Sequence, residues 1–128
     1  MKTLSIIGST GSIGKSTVEV VKNALSDYEI VALTAGKNAL ELINQAKTLN
    51  PKVVAIQDES KYSEVKEALS KTKTEVLCGD AGVITAAAIC ADISLLSIVG
   101  EAGLKPALAA VKNGKTIALA NKETLVCA

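Results

Sequence analysis

The sequence predicts an α/β fold: a doubly wound parallel sheet with helices on both faces, in three α-β-α layers. Two observations carry that reading. Short, continuously apolar runs alternate with helix-length amphipathic segments from end to end, and a glycine-rich turn separates the first run from the first amphipathic segment. Continuous apolar character, rather than strict alternation, suits strands covered on both faces. Strand and helix repeated in turn make the strands parallel.

The elements follow in order. Leu4–Ile7 is the first strand and ends in Gly8. Val18, Val21 and Leu25, at spacings of three and four, mark the first helix. Glu29–Ala35 is the second strand, followed by Gly36, and Ala39, Leu42, Ile43 and Ala46 form the next helical face. Val53–Ile56 is the third strand. The segment from Lys61 to Lys71 is a helix with Tyr62, Val65 and Leu69 as its stripe and Glu67 to Lys71 as a surface pair. Glu75–Cys78 is the fourth strand, and Ile84, Ala87, Ala88 and Ala91 are the face of the helix after it. Leu95–Val99 and Thr116–Ala120 complete six strands. Between them Leu104, Ala107, Leu108 and Val111 form a fifth helix, with Pro106 in its first turn and Asn113-Gly114 as its C-terminal cap. No linker, repeat or charge run divides the 128 residues, which are enough for one domain.

Composition removes whole classes of function. Fourteen lysines face 13 acids for a net charge of +1, so no basic excess exists to release counterions from nucleic acid. Two Tyr, with no Phe or Trp, leave little for base stacking. With no His, neither a Ser-His-Asp triad nor a His-containing zinc site can be built. Cys78, Cys90 and Cys127 lack C-x-x-C spacing and read as reduced intracellular thiols, mostly small core residues. Val83 to Gly100 is apolar enough to test as a membrane span, but Asp92 interrupts it and it reads as helix, turn and strand. The apolar run at the start is too short for a signal peptide. The expectation is a soluble, cytoplasmic protein with no membrane partner.

The most informative stretch is Gly8-Ser9-Thr10-Gly11-Ser12-Ile13-Gly14-Lys15-Ser16. A doubly wound fold puts its phosphate loop there, between first strand and first helix. Glycine lets backbone approach a ligand, and the helix aims unpaired N–H groups and its positive dipole end at an anion. Thr10 and Ser12 add hydroxyl donors. Two readings compete. Gly8, Gly11 and Gly14 make a G-x-x-G-x-x-G variant of the dinucleotide fingerprint. The tail Gly14-Lys15-Ser16 looks like the end of a P-loop of a nucleoside triphosphatase. That motif needs glycine where Ser9 stands, and the strand that would supply its magnesium ligand ends Ala55-Ile56-Gln57-Asp58, with Gln57 intervening. A plain glycine turn without ligand is the third possibility.

The end of the second strand bears on the choice of cofactor. An acid about 20 residues past the loop would accept from a ribose 2′-OH and select NAD. Here the residues are Ala35-Gly36-Lys37-Asn38, and Lys37 puts a positive charge where a 2′-phosphate would lie. That favours NADPH; the alternative is a solvated surface lysine.

Ile98-Val99-Gly100-Glu101-Ala102-Gly103-Leu104-Lys105-Pro106, then Gly114-Lys115-Thr116, then Leu119-Ala120-Asn121-Lys122-Glu123-Thr124-Leu125-Val126 join the glycine loop and Ala35-Gly36-Lys37-Asn38 in one pattern. From Thr3 to Val126 the chain closely resembles the 1-deoxy-D-xylulose 5-phosphate reductoisomerase family; Glu101 and Thr124 are small departures from its commonest wording. The resemblance implies a Rossmann-like NADPH-binding domain over residues 1–128. It also implies an NADPH-dependent oxidoreductase and isomerase acting in non-mevalonate isoprenoid biosynthesis. Such enzymes convert 1-deoxy-D-xylulose 5-phosphate to 2-C-methyl-D-erythritol 4-phosphate, as homodimers with Mg²⁺ or Mn²⁺. Carried over by position, Thr10, Gly11, Ser12 and Ile13 would hold the diphosphate, and Gly36, Lys37 and Asn38 the adenosine ribose phosphate. Asn121 and Glu123 would lie along the cofactor, and Lys122 would reach the substrate. Family members are longer, with metal carboxylates, phosphate site and lid in a catalytic domain after the Asn-Lys-Glu block. The expectation is a chain that binds NADPH, holds no catalytic or metal-binding residues of its own and does no chemistry alone.

Overall fold

The computed structural model describes residues 2–24, 26–89, 91–96 and 116–119. Six parallel strands, β1 (Lys2–Ile7), β2 (Tyr28–Ala35), β3 (Val53–Ile56), β4 (Glu75–Cys78), β5 (Ile93–Leu96) and β6 (Thr116–Leu119), form one sheet in the order β4-β3-β2-β1-β5-β6. The helices are α1 (Ser12–Lys22), α2 (Ala39–Leu49), α3 (Tyr62–Ala68) and α4 (Gly79–Ala88), with a single 3₁₀ turn, Glu59–Lys61, before α3. This is the doubly wound α/β, Rossmann-like fold expected from the alternation. Strands run outward from β1 to β4, and the chain then crosses to the far side of β1 for β5. That reversal creates the crevice where such sheets bind ligands, at the carboxyl ends of their strands.

Each face has its own core. Val18 and Val21 of α1, Leu42 and Ala46 of α2, and Val65 with Leu69 at α3 pack with Leu4, Ile6, Leu33 and Ile56 on one face. Val83, Ala86 and Ala87 of α4 cover Ile7, Ala32, Ala55 and Leu96 on the other. Ile30 and Leu33 share the first face although their spacing is odd, which an uninterrupted strand forbids. A register shift accounts for it: Leu4 pairs with Ile30, yet Ser5 pairs with Ala32, so Val31 is an extra residue that reverses the alternation. At the opposite, amino-terminal edge, β1 and β5 are clasped. Thr3 N–H donates to Asp92 Oδ2 at 2.9 Å, and Asp92 N–H donates to Thr3 Oγ1 at 2.8 Å.

Some expectations shift. The inward residues of α4 are Gly79, Gly82, Val83, Ala86 and Ala87, whereas Ile84 and Ala88 are only half-buried. The helix starts directly at the end of β4, and Gly82 lies so close to the sheet that an added Cβ would meet Leu77 Cβ at 3.0 Å. The smallest residues therefore face inward and the large Ile84 does not. Glu67 and Lys71 form no surface pair, because α3 ends at Ala68; ion pairs among the described residues join Lys22 to Glu19 at 3.5 Å and Lys52 to Glu29 at 3.8 Å. β5 begins at Ile93, two residues earlier than expected. Cys78 is a free, half-buried thiol packed against the first core. Leu25, Cys90, Cys127, the fifth helix with Pro106, and Asn113-Gly114 lie outside the described residues. No helix among the described residues is long and apolar enough to cross a membrane.

Candidate functional site

The loop after β1 is built into the sheet. Gly8 takes φ +91°, a conformation that penalises any side chain. From there its N–H donates to both Thr34 O, at 3.1 Å, and Thr34 Oγ1, at 2.9 Å; Ser9 N–H donates to Thr34 O at 2.8 Å, and Ser9 Oγ donates to the same carbonyl at 3.3 Å. On the helix side Gln45 Nε2 of α2 donates to Ser9 O at 2.9 Å. The loop is thus tied to the end of β2 and to the second turn of α2.

Gly14 seals it from beneath. A Cβ there would lie 2.3 Å from Gly8 O and 2.6 Å from Ser9 Cα, so α1 packs directly against the loop backbone. Its missing side chain serves the fold, whereas the sequence alone allowed it to serve a ligand. Gly11 differs again: it is exposed, at φ −75° and ψ 172°, ordinary extended backbone. It occupies the N-cap of α1 with no side chain to cap, and the first turn carries no acid. The positive end of α1 is left for an outside anion. Thr10 is half-buried beside it; Ser12 and Ile13 enter the helix as its first two residues.

The second predicted cluster adjoins the first through Thr34, two residues before Gly36. Gly36 is half-buried, and a Cβ on it would meet only Gln57 Oε1, at an ordinary 3.8 Å, so neither packing nor backbone demands glycine. Lys37 and Asn38 are exposed. Asn38 Oδ1 caps α2 by accepting from Glu41 N–H at 3.1 Å. Gly36 and Lys37 open onto a cleft of about 620 Å³ bounded by Gln57 and Asp58 after β3 and by Asp80 in the first turn of α4. Gln57 Nε2 donates to Asp80 Oδ1 at 2.8 Å, joining two of its lining residues. The hydroxyl of Ser60, and then its N–H, donate to Asp58 and hold its carboxyl below the ordinary aspartate range, with Lys37 and Lys61 adding attraction. Asp58 stays ionised at neutral pH, facing Lys37.

Asn121, Lys122 and Glu123 lie outside the described residues, so the structure brings together the loop and the Gly36-Lys37-Asn38 segment alone. Among the described residues no group of three His, Cys, Asp or Glu converges to hold a metal ion. Sequence reading missed Thr34, Gln45 and the Gln57–Asp80 bond. The available signal was polarity out of place: Thr34 within an apolar strand, and Gln45 on the inward face of α2 among Leu42, Ala46 and Leu49.

Comparison with known proteins is consistent with this edge. The family described as 1-deoxy-D-xylulose 5-phosphate reductoisomerase matches residues 4–128. The protein of that name from Zymomonas mobilis is 44% identical over 127 residues, covering 99% of this chain and 33% of that protein. The one from Proteus mirabilis is 46% identical over 129 residues, covering 98% and 32%. The Zymomonas mobilis structure in complex with NADPH superposes with a TM-score of 0.96 at 44% identity, over 99% of this chain and 34% of that one. A second structure, in complex with NADPH, fosmidomycin and magnesium, superposes at 0.91 with 36% identity, over 98% and 31%. The chain spans about a third of the length of these relatives.

Proposed function

The chain belongs to the 1-deoxy-D-xylulose 5-phosphate reductoisomerase family, and from that premise we propose that residues 1–128 form the NADPH-binding domain of such an enzyme. The observation that supports it is the tie between the glycine loop and Thr34, which sets an uncapped helix end beside Gly36, Lys37 and Asn38. Thr10, Gly11, Ser12 and Ile13 take the diphosphate on backbone N–H groups and hydroxyls. Lys37 takes the 2′-phosphate, joined by the Nδ2 of Asn38, whose Oδ1 is occupied in capping. Gly36 leaves room for the ribose. Asn121 and Glu123 line the cofactor further along, and Lys122 reaches the substrate.

In this reading the enzyme acts on 1-deoxy-D-xylulose 5-phosphate, as a cytoplasmic homodimer, in isoprenoid synthesis. NADPH supplies the hydride that reduces the rearranged aldehyde; the described residues bind and orient it. Among the described residues no three His, Cys, Asp or Glu converge to hold a divalent metal. The P-loop alternative loses its support, since Gly14 is consumed in packing against Gly8 and the family match points elsewhere.

Cofactor choice tests the proposal. The chain is expected to bind NADPH about ten- to a hundredfold more tightly than NADH, the effect of one charge-assisted hydrogen bond. Lys37→Ala should erase that preference while leaving NADH affinity nearly unchanged. Equal affinities in the unmutated chain, measured by fluorescence titration, would remove the 2′-phosphate assignment.

A further inference from the structure

Gln45 is the most deeply buried polar side chain of α2, at 4% exposure. Its two amide protons are both directed: Nε2 donates to Ser9 O at 2.9 Å and to Glu41 Oε1 at 3.4 Å. Its Oε1 is buried without a partner. An orphaned acceptor is unfavourable, and the neighbouring inward positions, Leu42, Ala46 and Leu49, are apolar. The packing of α2 does not ask for glutamine. What glutamine supplies, and an aliphatic side chain cannot, is a fixed link to the glycine loop.

That link is one end of a chain of hydrogen bonds. Asn38 Oδ1 accepts from the N–H of Glu41, the Glu41 carboxylate accepts from Gln45, and Gln45 donates to the Ser9 carbonyl. From Asn38 to Gln45 is seven residues, two helical turns or about 10 Å. The two ends are the two phosphate-binding segments of the proposed site. We propose that Gln45 is a positioning residue that holds the diphosphate loop at a fixed span from the 2′-phosphate segment, so that a dinucleotide reaching both meets them preorganised. This rests on the cofactor reading above and adds to it a residue that touches no ligand.

The test separates span from local damage. Gln45→Met keeps side-chain length, relieves the orphaned oxygen and removes the donor to Ser9; these effects on folding oppose one another, so Tm should move little. NADPH, which engages both segments, should bind the variant about tenfold more weakly, the scale of one lost hydrogen bond. Adenosine 2′-monophosphate, which engages only the start of α2, should keep its affinity within about twofold. Both ligands are titrated by calorimetry against the unmutated 128-residue chain and the variant. Unchanged NADPH affinity, or equal weakening of both ligands, would overturn the positioning role. If Gln45→Met does not fold, Gln45→Leu carries the same comparison. Failure of the unmutated chain to bind either ligand overturns the cofactor reading, and this role with it.

Discussion

Gly14→Ala is expected to destabilise the fold by about 3 kcal/mol, the upper end of what overpacking usually costs. A single methyl would stand 2.3 Å from Gly8 O, 2.6 Å from Ser9 Cα and 2.7 Å from Ser9 C, all of them backbone atoms. No rotamer change relieves such contacts. The loop cannot withdraw cheaply either, because Gly8 and Ser9 are bonded to Thr34 and Ser9 to Gln45. Either those bonds break or α1 lifts from the sheet, uncovering Val18 and Val21. Urea unfolding checks this, as a fall in midpoint at unchanged slope. A midpoint equal to that of the unmutated chain would mean that α1 shifts freely.

Gly11→Val is expected to do the opposite, abolishing NADPH binding while the protein stays folded. A glycine in such a loop can be required by a backbone angle closed to valine. The structure moves that demand to Gly8, at φ +91°, and leaves Gly11 in extended backbone. A branched side chain is therefore accommodated by the chain and stands where a diphosphate would approach the helix end. The expected loss exceeds a hundredfold in affinity, with far-UV circular dichroism and Tm preserved. Normal NADPH binding would show that the diphosphate lies elsewhere.

The three glycines look alike in the sequence, and their different duties mark what one dimension conceals. A positive φ, a close helix approach and an open helix end leave the same letter. The strands were easier. Val53–Ile56 and Glu75–Cys78 are short apolar runs bounded by turn residues, and both stand at the predicted limits. The register shift at Val31 was hidden because Ile30 to Leu33 is apolar throughout, leaving no alternation to break. The phase of α4 failed for the related reason that almost every residue from Gly79 to Ala88 is small or apolar. In the candidate site, Lys37 was marked by its distance from the loop, and Asn38 by the family resemblance alone. Thr34 and Gln45 were not, since each reaches a loop backbone group 25 to 36 residues away and no motif records such a partner.

The clasp between Thr3 and Asp92 has a consequence for the order in which the sheet assembles. β1 meets β2 after one short helical crossover, but it meets β5 only when residues 89 apart in sequence are brought together. Loop closure over that span carries an entropic cost that the local pairing escapes. β1 is therefore expected to join two cooperative units, an early one with β2, β3 and β4, and a later one with β5. Its amides point alternately to the two neighbours, so adjacent residues of this single strand are expected to exchange hydrogen with solvent at different rates, which amide exchange followed residue by residue would show.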